Sequence, residues 1–276
     1  MTLPQVVVPV YDGVDALADC LASLRRAMPR EARLQLVDDA SPDPRVRPLL
    51  EQFAADPPCP VDLRLQPRNL GFVGTVDAAM ARAGGDVVLL NADTVVTRGF
   101  LERLAACAAA DPRIATATPF SNNAEICSFP RLCVAHPMPD DAERIAAACR
   151  AAGPPEYPDL PTGVGFCMFV RAAALDAIGG FDAETFGRGY GEENDFCLRA
   201  AGHGWRNVLC DDAYVAHRGG ASFAATGLKP GGANLARLLA RYPGYNAQVA
   251  DFIARDPLAP RRARIEAALR GETVGP

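Results

Sequence analysis

What the 276-residue sequence lacks narrows it first. No G-x-G-x-x-G follows the first apolar run, and no acidic residue sits at the matching distance beyond it, which argues against a nicotinamide or flavin enzyme. There is no G-x-x-x-x-G-K-S/T either, so the chain is not a P-loop protein. Nine cysteines are present, an odd number, yet no two form a C-x-x-C pair. They fall singly in apolar segments (Cys20, Cys107, Cys167, Cys197) and read as reduced core residues, not as a disulfide framework or a zinc site. No apolar stretch approaches the roughly 20 residues of a membrane span, and Met1 leads almost directly into a strand without a charged-then-apolar leader, so the expectation is a cytoplasmic protein. Basic residues are dispersed, the net charge is -5 and the pI is near 5.3. Without an extended basic field, nucleic acid is not expected as the main partner, although a few local arginines suffice to bind phosphates.

What is there is apolar and regularly punctuated. A hydrophobic content of 49% supports a large core, as one big α/β domain or one domain with a small appendage. Gln5 to Val10 reads as a strand closing on Pro9-Val10-Tyr11-Asp12-Gly13. Leu17, Cys20, Leu21 and Leu24 follow at helical spacing. Leu34 to Val37 is a second strand, and Val46, Leu49, Leu50 and Phe53 mark a second helix. Val61 to Leu65 is a third strand, followed by Arg68-Asn69-Leu70-Gly71-Phe72 and a helix through Val73, Val76 and Met80. Asp86 to Leu90 is a fourth. Four βα units in the first hundred residues, joined by short connections, predict a doubly wound, mostly parallel sheet with right-handed crossovers.

Further on, Phe100 to Ala109 reads as helix, Ile114 to Thr118 as strand, and Ser121 to Pro139 as a long irregular loop, either a solvated connector or one whose Asn122, Asn123 and Glu125 touch a polyhydroxylated ligand. Ala142 to Ala152 is expected to be helical, Thr162 to Val170 a glycine-bearing strand, and Leu175 to Ile178 a short helix. Asn207 to Leu209 and Ala213 to Ala216 read as two strands flanking Asp211-Asp212. Beyond Gly232 the segments Leu235 to Tyr242, Ala247 to Ala254 and Arg261 to Leu269 are helical. This divides the chain into 1-120, 121-228 and a helical extension, 229-276.

Polar residues gather where strands end, and each group has two readings. Asn91 and Asp93 follow the fourth strand, where open α/β sheets bind ligands and where hard oxygen donors suit a divalent cation; an Asx-turn would use the same residues. Gly187 to Gly191 delivers the chain to a helix whose first turn carries Glu192, Glu193 and Asp195. Acids there complement the helix dipole, and Asp195 can pair with Arg199, but so many preceding glycines also suit a loop built for close contact. His217 closes a strand and opens a Gly-rich turn, and imidazole is a ligand that a carboxylate and amide metal site accepts.

In order, Pro9-Val10-Tyr11, Val37-Asp38-Asp39-Ala40-Ser41, Arg68-Asn69-Leu70-Gly71-Phe72, Leu90-Asn91-Ala92-Asp93, Gly191-Glu192-Glu193-Asn194-Asp195 with Arg199, and His217 before Gly-Gly-x-Ser-Phe resemble the family 2 glycosyltransferases with a GT-A fold. The resemblance spans roughly residues 4 to 225 and rests on the order of six pieces, each weak alone. It implies a nucleotide-binding first half and an acceptor-binding second half, a nucleotide-diphosphosugar donor (UDP- or dTDP-linked), a divalent metal (Mg²⁺ or Mn²⁺), and inversion by direct displacement. Position by position it implies that Pro9, Tyr11 and Asp39 frame the base and ribose, that Arg68, Asn69 and Gly71 border the donor, and that Asn91 stands in the donor site. Asp93 and His217 would hold the metal, and Glu193 would be the general base, with Glu192 and Asp195 as near alternatives. Two departures stand out: Asn91 replaces the first Asp of the family's D-x-D, and Glu193 replaces an Asp. The implied acceptor is a glycan or lipid-linked molecule, with peripheral membrane contact through it, in surface polysaccharide synthesis. Two other readings compete, a sugar-phosphate nucleotidyltransferase, whose Gly-rich basic loop is missing after strand one, and a catalytically dead donor-binding module, which Asn91 hints at.

Overall fold

The computed structural model describes residues 2-187, 189-219 and 232-272. Its first half alternates β1 (Gln5–Val10), α1 (Val14–Ala27), β2 (Leu34–Asp38), α2 (Val46–Ala55), β3 (Val61–Leu65), α3 (Gly71–Ala83), β4 (Val87–Leu90), β5 (Thr94–Val96) and α4 (Phe100–Ala110). Then come β6 (Ile114–Phe120), α5 (Ala142–Ala151), β7 (Cys167–Val170), α6 (Ala172–Ile178), α7 (Ala183–Phe186), α8 (Glu192–Gly202) and β8 (Arg206–His217). Three helices follow, α9 (Gly232–Arg241), α10 (Tyr245–Arg255) and α11 (Ala259–Leu269).

The strands form one sheet in the order β3-β2-β1-β4-β7-β6-β8-β5. The first four run parallel, and the order reverses between β1 and β4. Such a reversal opens a crevice at the carboxyl ends of the strands. Alternation along β1 sorts its side chains onto two faces. Val6, Val8 and Val10 pack with Leu17, Leu50 and Leu104 of α1, α2 and α4, while Val7 packs with Val73 of α3, Ala174 of α6 and Phe196 of α8. Both faces are therefore covered by helices, which is why these strands read as nearly continuous apolar runs.

Several elements differ from the sequence reading. The strand expected over Thr162 to Val170 is confined to Cys167–Val170, antiparallel to both β4 and β6. The two strands expected around Asp211-Asp212 are one, β8, which pairs with β6 up to Cys210 and rejoins it at Tyr214. Asp211 is absorbed within that irregularity: its carboxylate accepts the amides of Glu156 and Tyr157 and pairs at 2.9 Å with the buried Arg261, which fastens α11 to the sheet. The last strand, β5, is too short to stand out from its turn, yet its antiparallel pairing sets Thr94 opposite His217. The nine cysteines are free, and all but Cys133 are buried. Among the described residues no helix is long and apolar enough to cross a membrane.

Candidate active site

The crevice is framed by the loops that end β1, β2, β3 and β4. At the end of β1, Asp12 (φ 62°) and Gly13 (φ 73°) turn the chain sharply after the half-buried Tyr11, and the Asp12 amide donates to Ser41 Oγ at 3.1 Å. Asp39, 3% exposed, accepts the Leu70 amide at 2.7 Å, so the end of β2 holds the loop after β3. Burial raises the Asp39 carboxyl above its ordinary range, with the Leu70 amide opposing. Asn69 Oδ1 accepts the Gly71 amide at 3.0 Å, and Gly71 opens α3 at φ 77°, a conformation that favours glycine. Pro9 and Asn69 are half-buried, Gly71 is buried and Arg68 is exposed, all at the carboxyl edge of the parallel strands.

The turn at the end of β4 is tied by Thr94 Oγ1, which donates to the Asn91 carbonyl at 2.7 Å, and the Asn91 amide donates to Phe166 O at 2.8 Å. Asp93 is 5% exposed, and the β5-β8 pairing brings His217 to it, with Nε2 3.4 Å from Asp93 Oδ1. His217 is held from every side. Its amide donates to Asn122 Oδ1 at 2.8 Å, its carbonyl accepts from Asn122 Nδ2 at 2.9 Å, its Nδ1 lies 2.7 Å from Asn123 O, and its ring stacks on Phe166 with centroids 5.1 Å apart. A carbonyl can only accept, so Nδ1 carries a proton and Nε2 is the ring nitrogen turned to Asp93. Asn122, one of the loop residues considered for a ligand contact, is buried and ties His217 to the loop, its Nδ2 also donating to His136 O at 2.9 Å. At Gly219 (φ 76°) a Cβ would fall 2.2 Å from Asn123 Nδ2, so the chain leaving β8 passes this loop only as glycine. The Gly-Gly-x-Ser-Phe stretch beyond it, like Arg188, lies outside the described residues.

Gly191 (φ 113°) begins α8, and its three acids part company. Asp195 is wholly buried: Oδ2 accepts from Arg199 Nε at 2.8 Å, and Oδ1 accepts from Arg241 Nη1 at 2.6 Å and Tyr242 OH at 3.1 Å. Oδ1 thus fastens the end of α9 to α8, while Oδ2 pairs within α8 with Arg199, the partner its spacing allowed. Glu192 (3% exposed) and Glu193 each bury an Oε2 without a hydrogen-bond partner among the described residues. Burial pushes both carboxyls above their ordinary range, and the adjacent Glu193 charge pushes Glu192 further. The two neighbouring carboxyls thus share a raised proton affinity.

The segment before β7 joins these parts. A Cβ on Gly165 would touch the Glu193 carboxyl at 3.9 Å, while the next residue, Phe166, contacts both His217 and Asn91. Glu193 also lines a cavity of about 370 Å³ with Glu125, Thr162, Tyr190 and residues of α9 and α10. Sequence reasoning marked Glu125 but missed Phe166, Tyr190 and the helical wall, because isolated aromatic and aliphatic residues carry no spacing that separates a site from a core.

A parallel 3-2-1-4 sheet, continued by antiparallel strands and carrying polar loops at its carboxyl edge, is the architecture of GT-A glycosyltransferases. A mannosyltransferase of Pyrobaculum calidifontis in complex with GDP-Man and Mn²⁺ superposes with a TM-score of 0.57 at 18% identity, over 97% of this chain and 74% of that one. The family model for Glycosyl transferase family 2 matches residues 5-179, and the chain belongs to that family. An uncharacterised protein of Mycobacterium tuberculosis is 30% identical over 156 residues, 55% of each chain. The chain thus spans about half the length of that curated relative. The N-acetylglucosaminyl-diphospho-decaprenol L-rhamnosyltransferase of the same species is 26% identical over 244 residues, 77% of this chain and 75% of that protein.

Proposed function

We propose that the protein is an inverting glycosyltransferase that moves a hexosyl or deoxyhexosyl group from a UDP- or dTDP-sugar to a hydroxyl of a glycan or lipid-linked acceptor, in surface polysaccharide synthesis. The observation that carries this reading is the convergence through Gly165 and Phe166 of three groups with different tasks: Asn91 at the switch-point crevice, the Asp93-His217 pair, and Glu193. The relative that acts on a decaprenol-linked sugar supports the acceptor class, and the Mn²⁺ complex of the mannosyltransferase supports a metal.

Among the described residues no three His, Cys, Asp or Glu side chains gather as a ready cage. The donor set nevertheless fits Mg²⁺ or Mn²⁺, which commonly bind one or two protein groups and complete their shell with water and substrate phosphates. Asp93 and His217 would hold the ion, which would neutralise the charge of the departing diphosphate. The protein's own contributions are positional and protolytic. Pro9, Tyr11, Asp39 and the loop from Arg68 to Gly71 frame the nucleotide. Asn91, neutral where the family carries Asp, offers an amide to the ribose or a carbonyl to the ion. Glu193 accepts the proton of the attacking hydroxyl, and the raised proton affinity that burial gives it makes it a stronger base at neutral pH than an exposed carboxylate. Alignment of donor and acceptor in one crevice supplies much of the rest.

A panel of UDP- and dTDP-sugars with Mn²⁺, read out by release of the nucleoside diphosphate, tests the activity. Absence of release and of transfer with every donor, alongside intact donor binding, would establish the donor-binding module that Asn91 hints at.

A further inference from the structure

The cavity beside Glu193 has two unlike halves. One side is polar, with Glu193, Glu125 and the Thr162 hydroxyl that donates to Asn194 Oδ1 at 2.8 Å. Another side is built by the C-terminal helices. Tyr245, Val249 and Ile253 recur every four residues along one stripe of α10, and Leu235 and Leu238 of α9 stand beside them. This stripe is not the one that anchors α10, since Phe252 reaches the main core while Ile253 remains 39% exposed. At about 370 Å³ the cavity lies within the range of small-molecule sites. Its position is fixed by the Asp195-Arg241 contact and by Asn234 of α9, whose amide donates to Phe186 O at 2.8 Å and Gly189 O at 2.7 Å. The aliphatic wall is thus rigidly set against the helix that carries Glu193.

Resting on the glycosyltransferase reading, we infer that this cavity is the acceptor site and that the α9-α10 wall binds an apolar, alkyl-like group attached to the accepting sugar. Hydroxyls laid against Leu235, Leu238, Val249 and Ile253 would lose their hydrogen bonds to water without replacement, whereas an alkyl segment gains by leaving water. The charge arrangement orients the same ligand: the hydroxyl end faces the acidic side at Glu193 and Glu125, and the apolar end lies along the α9-α10 wall toward the exposed Ile253. The C-terminal helices are then a determinant of acceptor choice and more than an appended bundle.

The test measures binding of octyl β-D-glucoside, kept below its micelle concentration, and of methyl β-D-glucoside by saturation-transfer NMR with titration. Saturable octyl binding is expected, with the methyl compound roughly tenfold weaker or more. Val249→Asp and Ile253→Asp should each weaken octyl binding by about tenfold or more, while Leu65→Asp, on the distant edge strand, changes nothing. Each variant is also tested for its thermal response to UDP with Mn²⁺, which reports both the fold and the donor site. Octyl binding that is unsaturable, matched by the methyl compound, or undiminished in both α10 variants overturns the inference. If octyl binding is absent while the UDP response is intact, the wall assignment fails alone. If the wild-type protein binds the octyl compound as expected but shows no UDP response, the glycosyltransferase reading fails and the acceptor assignment with it.

Discussion

His217 Nε2 and Asp93 Oδ1 face each other at 3.4 Å, with Nδ1 of the same ring turned to the Asn123 carbonyl. An imidazole whose Nδ1 is committed to a carbonyl has Nε2 left for a ligand, so on the proposed reading this nitrogen and the Asp93 carboxylate would hold the cation. The first expected outcome is that UDP or dTDP raises the melting temperature more with Mn²⁺ than without it. Ligand at a hundredfold over Kd would stabilise by about 2.7 kcal/mol. Asp93→Ala and His217→Ala should each abolish the metal-dependent increment. An unaltered increment in both variants would remove the pair from the site. Asn91→Asp should tighten metal binding if Asn91 faces the ion, and a null result would place it on the ribose or in a turn.

The second concerns Glu193. Glu193→Gln keeps the size and hydrogen-bonding capacity of the side chain but not its basicity, so transfer should fall by roughly 10² to 10⁴ while the thermal response to donor survives. Were the acid only a complement to the α8 dipole, the cost would be about 0.3 to 1 kcal/mol of stability with turnover intact. Transfer within about threefold of wild type, roughly 0.7 kcal/mol of barrier, would rule out the base.

Glu192 carries the third, on pH. A buried carboxyl whose proton affinity is raised binds its proton more tightly in the folded than in the unfolded chain. Its contribution is therefore fully present below the unfolded value of about 4.3 and is lost as pH rises through the higher folded value. Glu192→Gln removes that loss. Melting curves from pH 4 to 9 should show the variant increasingly more stable than wild type toward high pH and converging with it near pH 4. A difference independent of pH would show that no buried proton is involved.

How much of this was legible before the fold was known follows from which forces act locally. The βα units announced themselves because strands buried on both faces are apolar throughout and the helices between them are amphipathic, as with Val6 to Val10 and Leu17 to Leu24. β5 stayed hidden because three residues after Asp93 gain their strand only by pairing with β8, more than a hundred residues on. That same long-range pairing creates the Asp93-His217 contact, so the residue types could be nominated from their positions at strand ends but their meeting could not. The part played by Asn122 was hidden for a similar reason: a polar residue in a long loop suits solvent or a ligand equally, and only the tertiary structure shows its amide bonded to the backbone of His217 and of His136.

The acids of α8 give the last prediction, because Asp195 and Glu193, two residues apart, meet opposite surroundings, one carboxylate fully paired and the other with a buried oxygen that has no hydrogen-bond partner among the described residues. Asp195 is wholly buried between Arg199, Arg241 and Tyr242, and the same α9 helix that supplies Arg241 uses Asn234 to hold the Gly-rich loop leading into Glu193. Breaking this network should first cost stability. Arg241→Met removes a hydrogen bond to a charged group and should lower stability by about 1.5 to 3 kcal/mol. Arg241→Lys should recover only part of it, since an ammonium cannot span Asp182 and Asp195 as the planar guanidinium does. Turnover should fall in proportion to the loosening of the loop, with donor KM unchanged, because the donor loops sit at the ends of β1 to β4 and not on α9. Asp195→Asn decides between positioning and proton transfer: as a positioning residue its loss lowers the melting temperature and leaves the pH dependence of turnover in place. A rate loss of 10² or more, roughly the scale of general-base removal, at unchanged stability would instead make Asp195 the base and displace Glu193 from that role.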